Sequence, residues 1–273
     1  MMRGVAFPAH RRAAFLAAIA LAAGLTTGCG SDKPADPGPA PKASVELPDG
    51  AYAGKPPKGL VMFVHGGAWK GRNPTEVAAF QKVAAPLWRG QGYAVLIPEY
   101  RAGARGVDDV VAAYDAAQRE LGTPTPTCGV GQSAGGHLLL ELAIRRPKLR
   151  CVVSLAGPTD LTVLDDSRAL RTLKRFAVDA FGSDDLKRLS PALQADRIKA
   201  KVFQVVAATD PIVPPSQAEL LEKALPGTRT VVLPGGPTAG QPFIHSTVDP
   251  AALQASQQAW SSFVITNLAS SGR

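Results

Sequence analysis

Residues 127–143 read TCGVGQSAGGHLLLELA. A short apolar run leads up to Ser133, glycines stand two places to either side at Gly131 and Gly135, and a Leu-rich helical stretch leads away. The segment GQSAG (131–135) matches G-x-S-x-G, the pattern of a serine held up on a sharp strand-to-helix turn. Glycines suit that turn because side chains on its flanks would collide as strand and helix close on each other. The pattern also arises by chance, and a small residue in a tight turn is the plain alternative. A nucleophile needs a base, an acid and an oxyanion site from elsewhere in the chain.

The organisation around this stretch is regular. The runs at 60–64, 93–98, 127–131, 151–156, 201–207 and 230–234 are short, nearly continuous in apolar character and bounded by turn residues. They read as strands of a sheet covered on both faces. Helical patterns fall between them, at about 75–90, 107–121, 134–146, 215–225 and 250–268. Such alternation predicts parallel strands with right-handed crossovers in a single α/β domain, residues 44–273. Residues 45–52 (VELPDGAY) are expected to add an edge hairpin. The segment Pro158–Ala200 is too long for a plain crossover and too short for an independent cap, and holds room for a helix or two.

The base follows by elimination, because the chain has only four histidines. His10 lies in the N-terminal leader, His65 begins a glycine loop, and His137 follows Ser133 by four residues on one helix, where its ring points away from the hydroxyl. His245, between the last strand and the last helix, remains, in the expected order of serine, acid and histidine. Asp210, in VFQVVAATDPIVP (202–214), ends an apolar run and is the favoured acid, with Asp160 in SLAGPTDL (154–161) as its rival. HGGAW (65–69) follows the strand at 60–64, where glycines let backbone amides approach a developing oxyanion. Trp69 and Trp88 read as core residues, with a place in a pocket wall as the alternative, and Arg101 as a structural hydrogen-bonding residue rather than a substrate ligand.

Taken together, HGGAW (65–69), EYR (99–101), GQSAGGH (131–137), LSP (189–191), ATDPIVP (208–214) and His245 resemble the α/β-hydrolase superfamily. Within it, the likeness is to the esterase/lipase group with an HGG-type oxyanion loop. The resemblance spans nearly all of residues 60–270. It implies a three-layer α/β/α fold with a mostly parallel sheet of about eight strands, and an acid after the seventh, which supports Asp210. It also implies oxyanion donors at the amides of Gly67, Ala68 and Ala134. Separately, no Cys/His spacing suggests zinc and no Gly-rich phosphate loop is visible, so no cofactor is implied. Two positions depart from the pattern: Ala68 stands where a third glycine is frequent, and QPFIH (241–245) replaces the usual small residues before the base. The implied activity is carboxylic ester hydrolysis through an acyl-enzyme, on a small-molecule ester. The alternatives are a formamidase-like amide hydrolase, a peptidase of the same fold, or a silent binding lipoprotein that keeps the fold as scaffold. The charged segment at 158–200 is the candidate cover for the serine, a short helical flap that predicts short acyl groups. Cys128 and Cys151 open strands that are neighbours in the family's sheet. Two buried thiols are the default there and a disulfide is the alternative, since sequence does not show which way the side chains point.

The N-terminus has a different character. Arg3, Arg11 and Arg12 precede the apolar run Ala13–Leu25, and small residues lead to Cys29. This is the pattern of an export signal, residues 1–28, and the run is shorter than the roughly 20 residues of a membrane span. LTTGC (25–29) resembles a bacterial lipoprotein signal with Cys29 as the lipidated residue, although Thr26 stands where Leu is commonest. Ordinary cleavage or an uncleaved anchor are the alternatives. Residues 29–43 carry prolines at 34, 37, 39 and 41 and read as an extended tether reaching roughly 40 Å. The expected location is the outer face of the cell membrane. Loss of 1–28 removes three arginines and no acids, taking the formal charge from +8 to +5. The chain has no Lys/Arg cluster interleaved with aromatics of the kind that binds nucleic acid.

Overall fold

The structure, a computed structural model, describes residues 43–270 apart from 123, 164–166 and 237–239. Residues 1–28, Cys29 and nearly all of the tether lie outside the described residues. Seven strands form the central sheet: β1 (Val45–Glu46), β2 (Leu60–Val64), β3 (Ala94–Leu96), β4 (Thr127–Gln132), β5 (Cys151–Leu155), β6 (Lys201–Ala207) and β7 (Arg229–Leu233). Their order is β1-β3-β2-β4-β5-β6-β7, with only β1 antiparallel to its neighbour. A separate two-stranded ribbon, β8 (Gln241–Phe243) and β9 (Ser246–Val248), precedes the last helix. Among the described residues the main sheet thus holds seven strands, where about eight were expected. The edge hairpin is also absent: after β1 the chain enters a 3-10 turn at Gly50–Tyr52, because Pro48 and Gly50 stop a second strand from forming.

Helices cover both faces. They are α1 (Pro74–Ala79), α2 (Ala85–Arg89), α3 (Ala104–Leu121), α4 (Ala134–Arg145), α5 (Arg168–Phe181), α6 (Pro215–Ala224) and α7 (Pro250–Ala269). Side chains alternate along each strand, so β2 sends Leu60, Met62 and Val64 to one core and Val61 and Phe63 to the other. The first core is closed by Val107 and Val110 of α3, Leu138 and Leu142 of α4, and Leu221 of α6. The second is closed by Trp88 of α2 and by Leu253, Trp260 and Val264 of α7. Each such side chain, fully buried, contributes about 1.5–3 kcal/mol. The result is three layers, α/β/α.

Two further expectations resolve here. The described part of the segment at 158–200 holds α5 and a 3-10 stretch at Pro191–Arg197, and it is no flap standing off the body: Leu170, Leu173, Ala177, Leu186 and Leu189 are buried in the first core. Cys128 and Cys151 are directly opposed in the β4–β5 register, with Cα atoms 4.6 Å apart. Both belong to the second core, so their side chains share a face, and they form a disulfide rather than two thiols.

Candidate active site

Ser133 caps α4 directly after β4, with φ 49° and ψ −119°. A non-glycine residue held there costs of order 1–3 kcal/mol. The turn is over-determined by close packing. A Cβ on Gly131 would stand 2.4 Å from the carbonyl oxygen of Gly135, and one on Gly135 would stand 2.1 Å from that of Val64. Only hydrogen fits at either place. The Ser133 amide donates to Leu155 O at 2.8 Å, which fixes the serine against the end of β5. The side chain is half-buried and makes no capping bond of its own. The Ala134 amide that follows is the first of α4, one of the four that a helix leaves without an internal partner.

The loop after β2 lies against this elbow: a Cβ on Gly66 would be 3.3 Å from the Ser133 Cβ. Gly67, Ala68 and Trp69 follow with φ of 107°, 50° and 56°, three consecutive residues in left-handed backbone of which two have side chains. His65 is wholly buried, stacks on Tyr100 with ring centroids 4.2 Å apart, and donates from Nδ1 to Gly66 O at 2.8 Å. Its Nε2 is buried and meets no partner among the described residues, and burial lowers its pKa to about 4, which favours the neutral ring. The Tyr100 hydroxyl donates to Gly66 O at 2.9 Å. Arg101 beside it holds Asp109 through Nη2 at 2.7 Å and Nε at 3.0 Å, a structural fork that fixes the start of α3.

His245 sits in the two-residue turn of the β8–β9 ribbon rather than in an open loop. Its Nδ1 is 3.0 Å from Asp210 Oδ2. The other carboxylate oxygen, Oδ1, accepts from the amides of Ile212 and Val213, both at 2.8 Å, so one buried group serves three donors. Thr209 and Ser246 hydroxyls, 3.1 Å apart, join the turn after β6 to the ribbon. With Nδ1–H donated to Asp210, Nε2 of His245 is left as the lone-pair nitrogen. Asp160 has no such partner. Its Oδ1 accepts from the Thr162 amide at 2.8 Å and hydroxyl at 2.6 Å and from Ser190 Oγ at 3.4 Å.

Glu76 went unnoticed in the sequence. It lies in the first turn of α1, buried, and its Oε2 accepts from the Gly66 amide at 2.6 Å. Gly66 thus stands between this carboxylate and Ser133. Burial raises the Glu76 pKa, and the hydrogen bonding of the Gly66 amide and Asn73 works against that rise. The available signal was NPTE (73–76), a cap residue, a first-turn proline and an acid three places on, which predicts a helix start. It does not reveal that the glutamate caps the loop at Gly66.

One family model, BD-FAE, matches residues 51–225, well over half of the chain. The chain belongs to the BD-FAE family. The BD-FAE match takes in the loop at 65–69, Ser133 and Asp210, and ends before His245. No curated protein matches the chain in sequence. Among solved structures, a Mycobacterium tuberculosis puromycin-hydrolyzing peptidase superposes with TM-score 0.63 at 22% identity, over 85% of this chain and 38% of its own. A Paleococcus ferrophilus monoacylglycerol lipase gives TM-score 0.57 at 20% identity, over 83% of this chain and 99% of its own. The esterase domain of a Rhodothermus marinus protein gives 0.54 at 20% identity, over 82% and 92%. This BD-FAE chain therefore spans well under half the length of the peptidase, and shares with all three the α/β-hydrolase fold.

Proposed function

We propose that the chain is a serine hydrolase that cleaves carboxylic esters. Ser133 is the nucleophile, His245 the base, Asp210 the acid that orients it, and the amides of Gly67, Ala68 and Ala134 the oxyanion donors. The observation that carries this reading is the His245–Asp210 pair at 3.0 Å, in a domain that also presents a strained serine elbow beside a left-handed glycine loop. Ser133 Oγ attacks the ester carbonyl while His245 Nε2 takes its proton, and the carbonyl oxygen becomes an anion facing backbone amides at the start of α4. Collapse expels the alcohol, which takes the proton back from His245. Water then repeats the sequence on the acyl-enzyme. Covalent labelling of Ser133 by a fluorophosphonate tests the reading; an unlabelled folded protein would refute it. The fold shared with a peptidase supports amide hydrolysis as a second reading. Turnover of matched esters and formamides separates the two.

The substrate we favour is a short acyl ester. Helix α5 is locked into the core by Leu170, Leu173 and Ala177, and Arg168, Arg171 and Arg175 line its exposed face, unlike a lid that opens onto lipid. A small pocket gains about 0.8 kcal/mol, roughly fourfold, per buried methylene only until it is full. The ratio kcat/KM measured from acetyl to palmitoyl esters should peak and then fall beyond about six to eight carbons. A steady rise to the longest chain would mark a lipase instead.

The export reading stands as a further proposal, supported by the N-terminal sequence alone: a lipid on Cys29 holds the domain at the outer face of the membrane. The native protein should then sediment with membranes and Cys29→Ala should not. Mature wild-type protein found only in the soluble fraction would overturn this.

A further inference from the structure

His137, set aside as a base, occupies a position of its own. It is wholly buried on α4, one turn beyond Ser133. The indole Nε1 of Trp69 donates to its Nδ1 at 3.1 Å, and its Nε2 lies 2.7 Å from the carbonyl oxygen of Leu189. An indole nitrogen can only donate, so Nδ1 carries no proton and Nε2–H donates to Leu189. Only the neutral ring in this one tautomer satisfies both partners. Burial, the largest influence on its pKa, lowers it and favours that neutral form. Phe181, at the end of α5, packs its ring 5.1 Å from Trp69 and 5.8 Å from His137.

Trp69 ends the strained loop. Ala68 and Trp69 both hold left-handed backbone, each at a cost of order 1–2 kcal/mol. A loop so strained relaxes unless something fixes it. Its last backbone carbonyl is fixed by the Gly103 amide at 2.9 Å and its side chain by His137.

We infer that His137 is the positioning residue of the oxyanion loop: through Trp69 it holds the amides of Gly67 and Ala68 in place, and through Leu189 it ties that loop to the segment at 158–200. This rests on the proposed function for its consequence in catalysis, though the tie itself does not. It also accounts for the presence together of HGGAW, GQSAGGH and LSP in one chain, since one imidazole joins all three.

The test uses Trp69→Phe, which keeps a ring and deletes the donor, and His137→Phe, which keeps a ring and deletes the acceptor. Active sites are counted by fluorophosphonate stoichiometry. Each variant should lose about 10- to 100-fold in kcat per titrated site with KM for a short ester nearly unchanged, because a misplaced donor weakens only the transition state. The double variant should be no worse than the worse single one, and His137→Gln, whose carbonyl can accept from the indole, should recover part of the loss. Wild-type kcat per titrated site, or additive losses, would overturn the inference. If His137→Phe does not fold, Trp69→Phe decides alone by the same criterion. Hydrogen exchange at the Trp69 indole N–H gives a readout that needs no activity. Protection in the wild type that is lost in His137→Phe supports the tie even if the wild type cleaves no ester and the proposed function fails. An unprotected indole in the wild type overturns it.

Discussion

Replacing Ser133 by alanine should lower turnover of an activated ester by on the order of 10³-fold or more, with the fold intact. The size of the loss follows from chemistry. On the proposed mechanism no acyl-enzyme forms without the hydroxyl, and the loop amides and the His245–Asp210 pair are left to assist only direct attack by water. The fold should survive because the structure asks nothing structural of the hydroxyl. Ser133 makes no capping bond to α4, its side chain is only half-buried, and the bond that fixes the turn runs from its amide to Leu155. Alanine meets the same backbone strain at φ 49° as serine does, so stability should change by less than about 1 kcal/mol. Loss of activity with an unchanged melting transition is the expected pair of results. A folded Ser133→Ala protein that hydrolyses esters at the wild-type rate would remove Ser133 from the mechanism.

The parts of this molecule legible from sequence are those governed by local pattern. The runs at 60–64, 127–131, 151–156 and 201–207 lie within one residue of β2, β4, β5 and β6, because strands buried on both faces have to be continuously apolar. The helix at 75–90 is broken where a single one was expected, since a π turn at Phe80–Ala84 separates α1 from α2. Pro86 lacks an amide hydrogen and its ring crowds the carbonyl four residues back, which explains why regular α-geometry stops there. Counting histidines isolates His245, but no count reveals that it rides on a ribbon turn, because β8 and β9 are each only three residues long and carry little pattern.

What stayed hidden are pairings between distant residues whose types do not announce a partner. A buried indole needs an acceptor, yet nothing near Trp69 in sequence says that it is His137, 68 places on. Glu76 carries the signature of a helix start, and its actual partner is an amide ten residues back in a different element. The cysteine pair depended on which face of β4 and β5 each residue takes, and a shift of one residue in register would have put the sulfurs on opposite sides of the sheet. In each case the chemistry was readable and the address was not. Two of these three, the partners of Trp69 and of Glu76, involve the loop at 65–69, so the arrangement of that loop is the least legible part of the candidate site.

Asp210→Asn should lower activity by on the order of 10⁴-fold, while Asp160→Asn leaves it within a few-fold of wild type. The two aspartates follow consecutive strands and both are buried, at 5% exposure each, so burial does not distinguish them. Their partners do. Asp210 turns Oδ1 to the amides of Ile212 and Val213 and Oδ2 to His245. In the asparagine variant the amide oxygen can keep the two backbone donors, which holds the turn and most of the stability. The new NH₂ then faces His245 Nδ1, which must become an acceptor, and the proton moves to Nε2. A base protonated on the atom that should receive the serine proton cannot start the reaction, and no carboxylate remains to stabilise the imidazolium. Asp160 binds Thr162 and Ser190, and the backbone around it is held separately by Gln217, whose Oε1 accepts from the amides of Thr159 and Asp160 at 2.8 and 2.9 Å. Its asparagine variant should therefore register in thermal stability, by about 1 kcal/mol for a weakened hydrogen bond, and hardly at all in kcat. Measuring kcat and melting temperature for both variants separates a group that orients the base from one that braces a loop. The reverse ranking in kcat would move the acid to the turn after β5 and leave the His245–Asp210 contact without a catalytic role.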